Sequence, residues 1–320
     1  MVKTEMHLSA YTCRPNLHRG EIWIAVALVL FTLCAAAATQ AGDPRFQLVF
    51  SQSMFTEVNE SDARAAMKVW ITTVANERGL MVDNDPVIPR TMDELSKACR
   101  SAQTGGCAVT LPEYAHLIRE IDFDHFAVAI VNGVFTDEYL LLTRRDSGLE
   151  RLDQLQGRRL TVLNNPRMSL ALIWLDTLLL EARLEPARAW FGAITLNKSA
   201  AQTALPVFFG KVDACVLTRS SFELMAELNP QLEQQLRVVA VSAPLVPSGF
   251  AYRMDAADSF MASMIDAMGQ LRESPAGLQI LQLIQAERIE NHSVAVLDPS
   301  LALFDRYQRL RGDAGRGLSQ

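Results

Sequence analysis

The chain has 320 residues, a length that fits two lobes or one large domain. Hydrophobic residues make up 49% and charged residues 21%, which supplies ordinary cores and excludes a disordered chain. The formal net charge is −6 and no basic block stands out, so a protein that tracks nucleic-acid phosphates is excluded as well.

Ile22 to Ala38 is an uncharged run, preceded by Lys3, Arg14 and Arg19 and followed by small residues through Ala41-Gly42. A basic start, an apolar stretch and a small-residue exit predict a secretory leader over residues 1–41, cut after Ala38 or Ala41. The alternative is an uncleaved membrane anchor, for which the run is marginal, because a spanning helix needs about 20 apolar residues. Loss of 1–41 also removes Glu5 and Glu21, leaving 27 cations against 34 carboxylates, a formal charge of −7. An acidic protein that holds an anion must rely on local dipoles and a few placed cations. Cys13 and Cys34 leave with the leader, and an oxidising compartment permits a Cys99–Cys107 disulfide across the turn Ser101–Gly106. Cys215, in an apolar strand, is expected to be a buried small hydrophobe.

From Arg45 onward short strands alternate with helices. Phe46–Phe50 reads as a strand. Ser61–Arg78 places Ala63, Met67, Trp70 and Val74 on one helical face and ends at Gly79. Thr91 and Glu94 form a capping box that starts a helix near Met92. Cys107–Thr110 is a short strand, Pro112 opens a helix, and Phe126–Val131 and Glu138–Arg144 are strands. After the turn at Gly157 come a strand over Arg159–Leu163, a loop at 164–168 and an apolar helix over Ser169–Ala182. Phe191–Leu196 is a strand, Ser199 and Gln202 cap a helix running to Phe209, and Asp213–Leu217 and Leu236–Val241 are further strands. Ser242–Gly249, with Pro244 and Pro247, reads as an extended connector to a strand at Phe250–Arg253. Helices over Ala256–Arg272, Ala276–Gln285 and Pro299–Arg311 close the chain. This βα alternation favours mostly parallel pairing with helices on both faces. Extended segments near 138–145 and 241–252 join two βα regions and suggest a hinge about which two lobes close.

The chemistry of catalysis is sparse. His116, His125 and His292 lie in no His-Glu-x-x-His motif, and there is no Gly-x-Ser-x-Gly elbow, dinucleotide fingerprint or phosphate-binding glycine loop. Nothing calls for a cofactor or a metal, and Met67, Trp70 and Trp174 fit core faces. Three strand-to-helix junctions are better candidates, because a helix start exposes unpaired N–H groups and the positive end of its dipole. The first is Ser51-Gln52-Ser53-Met54-Phe55, where Ser51 and Ser53 offer hydroxyls and Phe55 an aromatic wall; a plain capping turn is the alternative. The second is Asn164-Asn165-Pro166-Arg167-Met168-Ser169, where Asn164, Asn165 and Ser169 offer donors and Arg167 a forked pair for a phosphonate or carboxylate. The third is Lys198-Ser199, a cation beside a helix start that is equally a surface lysine and a cap. Asp213 either receives a ligand amine or caps a turn, and Tyr114 either covers the ligand or packs on its helix.

Several stretches together resemble the phosphate/phosphite/phosphonate substrate-binding proteins of ABC transporters, a branch of the periplasmic type II binding-protein superfamily. They are Phe50-Ser51-Gln52-Ser53-Met54-Phe55, Leu152–Arg159, Ala204-Leu205-Pro206-Val207-Phe208-Phe209-Gly210-Lys211-Val212-Asp213-Ala214-Cys215 with Glu227-Leu228-Asn229-Pro230, and Ser274-Pro275-Ala276-Gly277. The resemblance implies an α/β fold of two lobes, each a mixed sheet flanked by helices, joined by a two-strand hinge. The expected division is lobe one at 42–143 and 248–320 and lobe two at 144–247. It implies a non-enzymatic, periplasmic, monomeric protein that captures a small oxyanion for an ABC permease. The alternative is a sensing subunit that signals to a membrane kinase or cyclase. Where that family carries a serine- and threonine-rich turn, this sequence has Asn165-Pro166-Arg167-Met168-Ser169, with Arg167 in place of the hydroxyls.

Overall fold

The computed structural model describes residues 46–55, 59–255 and 258–317; the expected leader lies outside them. The first lobe opens with β1 (Gln47–Phe50), then α1 (Glu60–Arg78), α2 (Met92–Cys99), β2 (Thr104–Thr110), α3 (Leu111–Leu117) and β3 (Phe123–Ile130). The chain crosses over into β4 (Tyr139–Arg144), β5 (Arg159–Leu163), α4 (Ala171–Glu181), α5 (Ala187–Trp190), β6 (Ala193–Asn197), α6 (Ala200–Phe208), β7 (Ala214–Thr218), α7 (Arg219–Leu228), α8 (Gln231–Gln235) and β8 (Leu236–Val241). It returns through β9 (Ser248–Arg253), α9 (Asp258–Gly269), α10 (Pro275–Leu283), β10 (Arg288–Ser293) and α11 (Asp298–Gly317).

Two five-stranded sheets result, ordered β1-β2-β9-β3-β10 and β6-β5-β7-β4-β8. Both are mixed, as the family resemblance implies. Among the strands of the described residues, β1–β2, β5–β6 and β5–β7 are the parallel pairs and the other five are antiparallel, so the mostly parallel arrangement suggested by the βα alternation is corrected. The returning strands supply the antiparallel pairs: β9 inserts between β2 and β3, and β4 lies between β7 and β8.

Local sequence explains where the elements stop. Asn59 caps α1 by accepting from Ser61 N, and Gly79 ends it in the left-handed region at φ 64°, open to residues without a Cβ penalty. Thr91 caps α2 by accepting from Glu94 N, while Glu94 returns the favour to Arg90 N. The strand at Cys107 begins earlier than its apolar run, at Thr104, because Gly105 and Gly106 let Phe260 and Phe250 lie directly on the sheet.

The segments 131–138 and 242–247 connect the two sheets. The expected boundary at 143/144 lies inside β4, a full member of the second sheet. The two connectors run antiparallel and meet where Asp137 N donates to Leu245 O (2.7 Å) and Leu245 N to Asp137 O (3.0 Å). The last helix, α11, packs on both α4 and α3, its Arg306 pairs with Glu181, and Ser300 Oγ accepts from the connector at Val246 N (2.7 Å). Among the described residues no helix is long and apolar enough to cross a membrane.

Cys99, at the end of α2, and Cys107, in β2, bring their Sγ atoms to 2.8 Å as buried free thiols, and burial raises the Cys107 thiol well above its ordinary value. Cys215 is fully buried in β7. We expect air-oxidised protein to exceed the reduced form by about 2.5 kcal/mol in guanidinium unfolding, because a bond between residues this close in sequence removes a short loop's entropy from the unfolded chain. Identical midpoints with and without reductant would show that the pair stays reduced.

Candidate functional site

One cavity of about 200 Å³ is lined from the first sheet, from segments that follow strands of the second, and from both connectors. From lobe two it takes Asn165, Pro166, Arg167 and Ser221, which follow the C-terminal ends of the parallel strands β5 and β7. That is the end at which open α/β sheets present ligand loops. Asp137, Pro247, Ser248 and Gly249 contribute from the connectors and the start of β9. Lobe one contributes aromatic and aliphatic side chains, among them Phe50, Phe55, Trp70 and Phe250.

Arg167 sits in the short turn that joins β5 to α4. Its guanidinium fork is already taken: Nε donates to Asp137 Oδ2 (2.9 Å), Nη2 to Asp137 Oδ1 and to Ser220 Oγ (3.2 Å), and Nη1 has no hydrogen bond to the described residues. The turn itself is held by Tyr139, whose hydroxyl donates to Arg167 O (2.9 Å), and by Ser169, whose hydroxyl donates to Pro247 O (2.6 Å). Burial pushes the Asp137 carboxyl above its usual value, and the Arg167 guanidinium draws it partly back. A bidentate arginine–carboxylate pair thus ties a hinge connector to the lobe-two loop at the cavity wall.

The structure brings Phe55, Asn165 and Arg167 of the sequence-derived candidates to this cavity and places the rest elsewhere. Ser51 and Ser53 donate to Glu113 Oε1 (2.5 and 2.8 Å), while Thr110 N and Thr110 Oγ1 donate to Glu113 Oε2 (both 2.8 Å). The first junction is therefore filled by the chain's own carboxylate, at the start of α3. Tyr114 is 3% exposed and packs on Phe123 and Phe126, with ring centroids 5.5 and 5.3 Å away, so it is a core residue. Asn164 passes its N–H to Asn197 O and stays off the cavity wall, and Ser169 braces the connector instead of facing a guest. Lys198 is exposed beside the edge strand β6, and Ser199 accepts from Gln202 N as the cap of α6. Asp213 lies at the entering end of β7, opposite the cavity, where its Oδ2 accepts from Arg159 N (2.8 Å).

Four polar wall residues are not among the sequence-derived candidates: Asp137, in a connector with no motif around it, Ser221, which follows β7 in α7, Ser248 and Gln285. Among the described residues no group of three or more potential ligands gathers as a metal site.

Three solved structures share this architecture. A binding-protein component of an ABC phosphonate transporter from Pseudomonas aeruginosa aligns at TM-score 0.56 and 13% identity, over 84% of this chain and 88% of that one. A Xanthomonas citri protein solved with ATP aligns at 0.58 and 16%, over 83% and 98%. PhnD1 from Prochlorococcus marinus, solved with methylphosphonate, aligns at 0.52 and 14%, over 87% and 99%. At these identities the likeness is one of fold. No curated protein sequence matches the chain. The family described as "ABC transporter, phosphonate, periplasmic substrate-binding protein" matches residues 77–295, more than half of the chain. With both mixed sheets, the paired connectors and a cavity between them in place, the chain belongs to the phosphonate-binding family of periplasmic substrate-binding proteins of ABC transporters.

Proposed function

We propose that this protein captures a small oxyanion-bearing solute, phosphate- or phosphonate-like, between its two lobes and hands it to an ABC permease without altering it. The observation that carries the reading is Arg167: a cation on the lobe-two wall of a cavity that lobe one completes, in a chain of this family. Its unengaged Nη1 and the Ser221 hydroxyl supply donors, and the start of α7 adds a helix dipole whose positive end faces the same side. The protein would reach the periplasm through residues 1–41 and work as a monomer.

The test is a thermal-shift and calorimetric screen of phosphate, phosphite, methylphosphonate, longer alkylphosphonates, sulfate and small carboxylates. A ligand at a hundredfold excess over its dissociation constant stabilises the native state by about 2.7 kcal/mol. The paired substitution Arg167→Gln with Asp137→Asn removes both charges while keeping the polar shape of the wall. It is expected to weaken the hit between tenfold and about a hundredfold, the range of one charge-assisted hydrogen bond. Unchanged affinity in that double variant would remove Arg167 from the site, and recovery of a chemically altered compound would point to an enzyme.

A further inference from the structure

The cavity wall is lopsided. Its charged residues come from lobe two and a connector, while lobe one turns a largely apolar face to it, in which Ser248 at the start of β9 and Gln285 are the polar members. Strand register explains the shape of that face. Phe50, Ala108, Phe250 and Ala127 are cross-strand partners in a single row over β1, β2, β9 and β3. Two alanine methyls therefore flank the Phe250 ring, and Ala129, opposite Ile289 on β10, continues the low floor. Met67 and Trp70 of α1 and Met268 of α9 close over it. The two hydroxyls at the first strand-to-helix junction, Ser51 and Ser53, are held by Glu113 and do not reach the cavity.

We propose that the solute is amphipathic, with its oxyanion head on the Arg167 side and an apolar body seated on the alanine floor of lobe one. This rests on the oxyanion reading above and adds the body to it. At about 30 Å³ per water in the liquid, the cavity holds the equivalent of roughly seven water-sized groups. Walls of this kind keep a cavity dry, so a hydrocarbon body fills void and displaces little bound water. Each methylene taken out of water should then tighten binding about fourfold.

The experiment titrates the full chain with methyl-, butyl-, hexyl- and decylphosphonate by calorimetry, with inorganic phosphate and hexanol as the two separated halves of the ligand. Affinity is expected to climb about sixtyfold from methyl to butyl, three methylenes at about fourfold each, and to level off from hexyl to decyl as the space runs out. Ala129→Leu, at a half-buried floor position, should flatten the climb, because its added carbons take the space a longer chain would fill. Ile284→Trp, at an exposed position on the cavity wall, should do the same without burdening the core. Equal binding of methyl- and hexylphosphonate would overturn the apolar body and leave the oxyanion reading standing. Binding of hexanol with no response to any phosphonate would overturn the oxyanion head, and both readings with it.

Discussion

Arg167→Ala is expected to lower unfolding stability by about 3–5 kcal/mol at pH 7, and Asp137→Asn by only about 1–2 kcal/mol. The asymmetry follows from what each change strands. The Asp137 side chain is 5% exposed and the Arg167 side chain 27%. Without the guanidinium, an ionised carboxylate is left away from water with no counter-charge. Without the carboxylate charge, water still reaches the cation, Ser220 still accepts from it and an asparagine oxygen still receives a hydrogen bond. Combining Arg167→Ala with Asp137→Asn should cost less than the sum of the two single losses, a coupling of about 2 kcal/mol or more.

The pH dependence gives a second handle on the same pair. Burial raises Asp137 and Arg167 lowers it; with Arg167 gone, the raising influence acts without that opposition. A carboxyl whose folded value lies above the unfolded value of about 3.9 takes up a proton on folding. Its contribution is fully present below the unfolded value and is lost as pH rises through the folded one. The deficit of Arg167→Ala relative to the parent should therefore shrink between pH 7 and pH 4.5 in urea unfolding. An equal deficit at both pH values, or Asp137→Asn as costly as Arg167→Ala, would refute the account of a buried carboxylate kept ionised by its partner.

The same pair marks how far sequence reasoning reaches. Strands β5 and β8 were legible residue for residue, because each is an apolar run bounded by turns. The caps of α1 and α2 were legible because Gly79 and Thr91 have a local chemistry that depends on nothing distant. Strand β10 was not: Arg288-Ile-Glu-Asn-His-Ser is polar and only half-buried, and it pairs because β3 offers an open edge. For the site, the rule that ligands sit after strand C-termini led to Asn165 and Arg167. Asp213 was singled out for its carboxylate and not by that rule; it stands at the entering end of β7, where it accepts from Arg159 N, as a turn-capping group does. Lys198 stands at the favoured end but on the edge strand, out of reach of the cavity. Asp137 and Arg167 are thirty residues apart, and Glu113 lies some sixty residues from Ser51 and Ser53. No local pattern reports that such a carboxylate will occupy such donors, so the engagement of all three candidate groups emerged only from the tertiary structure.

The alanine floor also depends on a residue that has no side chain. Gly249→Ala is expected to destabilise the protein by about 3 kcal/mol, at the upper end for an overpacked core. Gly249 lies in β9 between β2 and β3, with Val109 as its partner on β2. A Cβ there would stand 2.3 Å from Phe126 Cε1 and 2.4 Å from the carbonyl oxygen of Ala127. Phe126 is fully buried with its ring edge-on to Tyr114, so it has nowhere to turn. The other obstacle is backbone, and moving it drags Ala127, part of the cavity floor, with it. The backbone angle at Gly249 is not in the left-handed region, so the loss comes from contact and not from conformational strain. Gly269→Ala is the matched control: it ends α9 with nothing within 4 Å of its Cβ position and should be neutral or slightly stabilising. Guanidinium midpoints of the two variants test the claim. The Gly249 variant should also lose affinity for hexylphosphonate more than for methylphosphonate, because the displaced strand carries the surface on which the longer body rests. A Gly249 variant as stable as the Gly269 control would mean that β3 yields freely, and the floor would then be too soft to measure out the length of a guest.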